Sequence, residues 1–159
     1  MLAFLAISAI AVLAPRRPVA PPLVYGATAL ICALACAIAF LSLGAGQTAV
    51  LRLPLGLPWV GANFRMDALS SLFLVIVNLG AAGASLFGIG YGRHEPSPQR
   101  VLPFFPAFLA GMNLVMLADD AFTFLLSWEF MSLTSWALVM AHHRVADNAR
   151  AGYVYILMA

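Results

Sequence analysis

The chain has no lysine; its positive charge is carried entirely by eight arginines. Acidic residues are scarce too, with six Asp and Glu in all, and 9% of the 159 residues are charged, against about a quarter in soluble domains. Apolar residues make up 64% of the chain and the mean hydropathy is +0.98. That balance excludes a soluble globular domain. The arginines are scattered through short loops rather than gathered into a patch, so a nucleic-acid surface is excluded as well. Cysteine is nearly absent: Cys32 and Cys36 stand four apart in an apolar run, where thiols act as small packing groups rather than as a redox or metal site. No phosphate-binding loop, zinc spacing or nucleophile triad occurs, and catalysis by this polypeptide alone is not expected.

What is present is a series of apolar runs. A membrane-crossing helix needs about 20 apolar residues, because the hydrocarbon core is about 30 Å thick and each residue rises about 1.5 Å. The pattern predicts an all-α polytopic membrane protein with about five transmembrane helices, at about 1–14, 19–43, 67–92, 101–118 and 121–141, and the start of a sixth at 151–159. The first run lacks the positive leader of a signal peptide and is followed by Arg16 and Arg17, so it reads as a short span or the remainder of a longer one. Pro21 and Pro22 fall near the first turn of the second span, where proline is tolerated. Residues 44–66 are broken by Gly and Pro and contain alternating stretches such as Val50-Leu51-Arg52-Leu53, which predict a short extramembrane β-hairpin with Trp59 at the membrane interface. Along the third span Gly80, Ala84, Gly88 and Gly92 recur every four residues, the spacing of a smooth ridge for a neighbouring helix.

Arg16, Arg17, Arg93, Arg100, Arg144 and Arg150 fall in alternate loops, with Arg52 and Arg65 alone on the opposite side. Positively charged loops stay cytoplasmic, so the N-terminus, the hairpin and the Asp119-Asp120 turn are expected to face outward.

Glu129 lies near the middle of the fifth span. A charge at that depth costs at least ~2.5 kcal/mol, so a carboxyl there is a functional candidate by default. Desolvation raises such a group's proton affinity and a nearby cation lowers it, a combination suited to taking up and releasing a proton. No Lys or Arg occurs inside any span, so the counter-charge is expected in a later segment or another subunit. The alternative is a neutral, hydrogen-bonded packing residue. His142 and His143 sit at the cytoplasmic end of the same helix, roughly 20 Å from Glu129 by helical rise; they read as interfacial residues or as the mouth of a proton path. Asn78 and Asn113 are expected to hydrogen-bond across helices or to line a water file. Asp67, Asp119 and Asp120 have the chemistry of turn and helix-capping residues, with proton collection at the outer face as a lesser role for the last two.

These residues fall within recognisable motifs: Phe64-Arg65-Met66-Asp67-Ala68-Leu69-Ser70, Gly90-Tyr91-Gly92-Arg93-His94-Glu95, Ala118-Asp119-Asp120-Ala121-Phe122, Leu126-Ser127-Trp128-Glu129-Phe130-Met131-Ser132-Leu133 and Met140-Ala141-His142-His143-Arg144. Together they resemble the N-terminal portion of the antiporter-like membrane subunits of respiratory complex I and multi-subunit cation/proton antiporters, on the branch of hydrogenase-4 component B and formate hydrogenlyase subunit 3. The resemblance implies a larger bundle with an inverted repeat, in which the glutamate matching Glu129 is protonatable and pairs with a lysine on a later helix. It implies a location in the bacterial inner membrane and partners in other membrane subunits and a peripheral redox arm. Cofactors are expected only on those partners, as iron–sulfur and nickel–iron centres or quinone. A cation/proton antiporter subunit and a non-catalytic assembly module are the competing readings. Reporter fusions test the topology: alkaline phosphatase joined after Asp120 should be active and joined after Arg100 inactive, and the reverse result would invert the orientation.

Overall fold

The structure is a computed structural model and describes residues 1–13, 20–46, 48–54, 61–92, 95, 97–143 and 146–158. The expectations resting on Arg16, Arg17, Trp59, Arg93 and Arg144 lie outside the described residues.

The described residues form six α-helices: α1 (Leu2–Leu13), α2 (Ala20–Ala45), α3 (Ala68–Tyr91), α4 (Phe104–Leu117), α5 (Ala121–Val139) and α6 (Ala146–Met158). Among the described residues, four segments are long and apolar enough to cross a membrane: α2, α3, α4 with the turn before it (Pro98–Leu117), and α5 with the turn after it (Ala121–His142). The apolar α1 has 12 residues. The last helix begins at Ala146 rather than at the apolar boundary near Ala151, with Asp147 in its first turn, where a carboxylate complements the helix N-terminus.

Between α2 and α3, strands β1 (Ala49–Leu53) and β2 (Ala62–Met66) pair antiparallel, with Leu51 opposite Phe64. Gly61 closes this hairpin at φ +69°, and a Cβ there would stand 2.8 Å from the Leu53 carbonyl oxygen, so only glycine fits.

Large apolar side chains face outward along the long helices: Leu30, Leu34 and Ile38 on α2, Leu72, Ile76 and Leu79 on α3, Leu125, Leu126 and Leu133 on α5. Polar ones face inward, including Thr28, Ser71, Asn78, Ser85, Asn113, Thr123 and Ser127. This inversion suits a lipid solvent, which favours outward hydrocarbon and offers buried polar groups no competing water. The helices associate as two antiparallel hairpins, α2 with α3 and α4 with α5, with α1 laid against α2 and α4. Phe4, Cys32, Ala81, Leu109 and Ala110 form a core where α1, α2, α3 and α4 converge.

The packed face of α3 runs Ser71, Leu74, Asn78, Ala81, Ser85, Gly88 and Gly92, in alternating steps of three and four. Of the expected ridge, Gly88 and Gly92 lie on this seam, while Gly80 and Ala84 face outward. The reason is geometric: a constant step of four drifts about 40° around the helix each time, whereas the alternating pattern tracks a partner lying along α3. Tyr25 of α2 rests its ring on the two seam glycines, and a Cβ at Gly88 would approach that ring to 2.6 Å. Gly88→Leu should therefore destabilise the α2–α3 hairpin by about 1–3 kcal/mol. Thermal unfolding in detergent checks this, and Tyr25→Ala in the same chain should recover most of the loss.

Candidate functional site

The turn between α4 and α5 and the β-hairpin meet at one end of the bundle. Asp120 caps α5, accepting hydrogen bonds from the Thr123 amide (2.9 Å) and hydroxyl (2.6 Å). Its Oδ2 also accepts from the Asn63 side-chain amide at 3.0 Å and the Asn63 backbone N–H at 3.2 Å. Asn63 N–H is shared with the Thr123 hydroxyl at 3.0 Å. Beside this, the Asp119 N–H donates to the Asn63 carbonyl at 2.9 Å, Phe64 bridges to Ala118, and Arg65 forms a salt bridge with Asp119. The donors from Thr123 and then Asn63 hold the Asp120 carboxyl down at about 2. Asp67 caps α3 through the Ser70 N–H at 2.8 Å, which holds its carboxyl below its ordinary value.

At the opposite end, the turn following α5 carries both histidines. His142 Nε2 lies 2.8 Å from Glu95, and His143 Nδ1 lies 2.8 Å from Arg100. Glu95 and Arg100 belong to the α3–α4 connection, so this connection and the end of α5 share one face of the bundle.

Between the two ends, Asn78 and Asn113 are fully buried where α3 meets α4. The Asn78 side-chain amide donates to Asn113 Oδ1 at 2.6 Å and to the Leu74 carbonyl at 2.9 Å; Asn113 donates to the Leu109 carbonyl at 2.8 Å. Among the described residues, Asn78 Oδ1 and Ser71 Oγ are buried without a hydrogen-bond partner. Among the described residues no hydrogen bond links this pair to the histidines, so the four residues expected along a proton path form two separate groups.

Glu129 stands midway along α5 and faces outward. Its neighbours on that face are Leu125, Leu126 and Leu133, all exposed. Trp136 and Met140 continue the same stripe towards α6, where Gly152 packs against both and the Tyr155 hydroxyl donates to Ser135 Oγ at 2.9 Å. The expected desolvation of Glu129 is therefore not produced by the described helices, and its surroundings come from whatever lies against the outer face. Among the described residues no group of three or more His, Cys, Asp or Glu is placed to hold a metal ion.

Sequence reasoning missed Asn63 as a partner of Asp120 and Thr123, and Arg65 as the partner of Asp119. The aspartates marked a cap, but pairings spanning 54 to 60 residues leave no periodic trace.

No family model matches the chain. Hydrogenase-4 component B of Escherichia coli K12 is 33% identical over 119 residues, which is 74% of this chain and 18% of that protein. An uncharacterized protein of Mycobacterium tuberculosis is 34% identical over 102 residues, 64% of this chain and 16% of that one. NADH-quinone oxidoreductase subunit L of the same organism is 25% identical over 106 residues, covering 66% and 17%. Each match thus spans less than a fifth of the relative. Among solved structures, a chain of the membrane-bound sulfane sulfur reductase, an archaeal respiratory membrane complex, shares the fold over 98% of this chain and 32% of its own length, with a TM-score of 0.80 at 21% identity.

The Asp120 junction makes a testable claim. Its folded carboxyl titrates below the ordinary value of 3.8, so its contribution to docking is fully present above about pH 4 and is lost as pH falls towards 2. Amide hydrogen-exchange protection at Asn63 and Thr123, corrected for intrinsic rates, should decline over that window. Asp120→Ala should show low protection throughout and no decline; unchanged protection in that variant would shift the docking onto Arg65 and Asp119.

Proposed function

We propose that this chain, a homologue of the antiporter-like membrane subunits of complex I-like assemblies, contributes a protonatable glutamate, Glu129, to proton translocation. The observation that carries the reading is the isolation of that residue. Glu129 is the only Asp, Glu, Lys, Arg or His in α2, α3, α4 and α5, and it stands on an otherwise apolar outward face. Against bare hydrocarbon a carboxylate there costs at least ~2.5 kcal/mol, so the group is neutral unless a cation or hydrogen-bond donor stands against that face. Alternation between those conditions is alternation between holding and releasing a proton.

The counter-charge is assigned to another helix packed on the Leu125, Leu126 and Leu133 face, because α2 to α5 hold no Lys or Arg. Redox chemistry is assigned to partner subunits in a peripheral arm, carrying iron–sulfur and nickel–iron centres or reducing quinone. The assembly is placed in the bacterial inner membrane with the hairpin and the Asp119-Asp120 turn outward. The homology to membrane subunits of respiratory complexes supports this assignment.

The test is Glu129→Gln in the assembled complex reconstituted into vesicles. Proton translocation should fall by about a hundredfold, the scale on which a positioned acid–base group contributes, while assembly remains normal. Undiminished translocation with normal assembly would remove Glu129 from the mechanism and leave an assembly role.

A further inference from the structure

We propose that the crevice between α3 and α4 holds internal water, admitted from the hairpin end of the bundle and ending at the Asn78–Asn113 pair. Two independent observations carry this. The first is the pair of orphaned polar atoms: Ser71 Oγ and Asn78 Oδ1 both belong to fully buried residues and have no partner among the described residues. They lie seven residues apart, two turns along one face of α3. Hydrocarbon supplies no hydrogen bond to such atoms, and helices retain buried oxygens of this kind where water reaches them.

The second is a cavity of about 420 Å³ at the hairpin end, lined among others by Ser70 and Phe73 of α3 and by Val115 and Met116 of α4. Arg65, Asp67 and Asp119 line it as well, so charged side chains border it at the hairpin end. From Phe73 to Asn78 is about 7.5 Å of helical rise, and from Val115 to Asn113 about 3 Å, so the cavity approaches the asparagine pair to within about two turns. Ser71 falls at the level of its lining.

The asparagine pair forms a natural end to this water. Asn113 Oδ1 and both side-chain amides are engaged, to each other or to backbone carbonyls, and the unengaged Asn78 Oδ1 is the atom left to accept from a water molecule. Below it the seam continues with Ala81, which has no polar side-chain atom. The crevice therefore hydrates only the hairpin half of α3. It stands apart from Glu129, which faces outward on α5, and does not depend on the role assigned to that residue.

Cysteine accessibility in the full chain in bilayers tests the proposal. In a background with Cys32→Ala and Cys36→Ala, Ser71→Cys should react with a small, membrane-impermeant methanethiosulfonate at least about tenfold faster than the lipid-facing Leu72→Cys and Ile76→Cys, because only a hydrated thiol forms the reactive thiolate. Ala81→Cys should be as protected as those controls. Equal protection at Ser71→Cys would overturn an open crevice. Water-edited solid-state NMR on the unsubstituted chain labelled with ¹⁵N-asparagine provides a readout independent of any substitution. Magnetisation from water should reach the Asn78 side-chain amide, and its absence there, with transfer to Asn63 intact, would show that the crevice is dry.

Discussion

Asp120 joins the β-hairpin to the start of α5. A single carboxylate caps α5, accepts both the backbone and the side-chain N–H of Asn63, and binds the Thr123 hydroxyl. Asn63 belongs to the β-hairpin linking α2 to α3, and Thr123 to α5, so the contact fixes one helical hairpin against the other where both leave the membrane. Its position at the water boundary allows it to stay charged without the penalty of full burial. Deeper in the bundle the same two hairpins are tied by neutral groups, the Asn78–Asn113 amides. Charge therefore serves at the rim and amides within the hydrocarbon, as the cost of burying each dictates.

The lipid solvent explains the remaining packing. Helices in a bilayer gain little by hiding Leu from lipid, and they associate through close van der Waals contact at small residues. Gly88 and Gly92 accept the Tyr25 ring, and Gly111 accepts the backbone of Met131, whose Cα would lie 2.8 Å from an added Cβ. The first contact closes the α2–α3 hairpin and the second the α4–α5 hairpin. Each hairpin thus has a glycine contact within it, while polar bonds join one hairpin to the other.

How much of this was legible in sequence depended on whether the information was local. The apolar runs gave the helices within a few residues, and the Gly- and Pro-broken stretch before Asp67 gave the β-hairpin. Asp67 and Asp120 were readable as caps because a cap acts three residues away. The Asn63–Asp120 and Arg65–Asp119 pairings join segments more than fifty residues apart and had no such signature. The glycine spacing suggested a ridge along the third span, but which residues pack is set by the direction of the partner helices: Tyr25 of α2 rests on Gly88 and Gly92, and Asn113 of α4 meets Asn78. For Glu129 the position midway along a helix was readable from its place in the run, while its outward direction depended on where α4 lies.

That direction bears on how the carboxyl can respond to its surroundings. Two inward polar groups of α5 have partners inside the chain: Thr123 donates to Asp120, and Thr134 donates to the Phe130 and Met131 carbonyls. Glu129 lies between Ser127 and Ser132 in sequence yet on a different face, since successive helical residues are separated by about 100°. Among the described residues the α4 side of the bundle consequently offers it no donor, and its surroundings are left to whatever stands against Leu125, Leu126 and Leu133. On the proposed reading, a helix shifting over this face alters the environment of Glu129 without disturbing the Asp120 junction or the asparagine pair. A rigid scaffold bearing a carboxyl on its outer face allows proton affinity to change while the fold that sets the carboxyl's depth stays fixed.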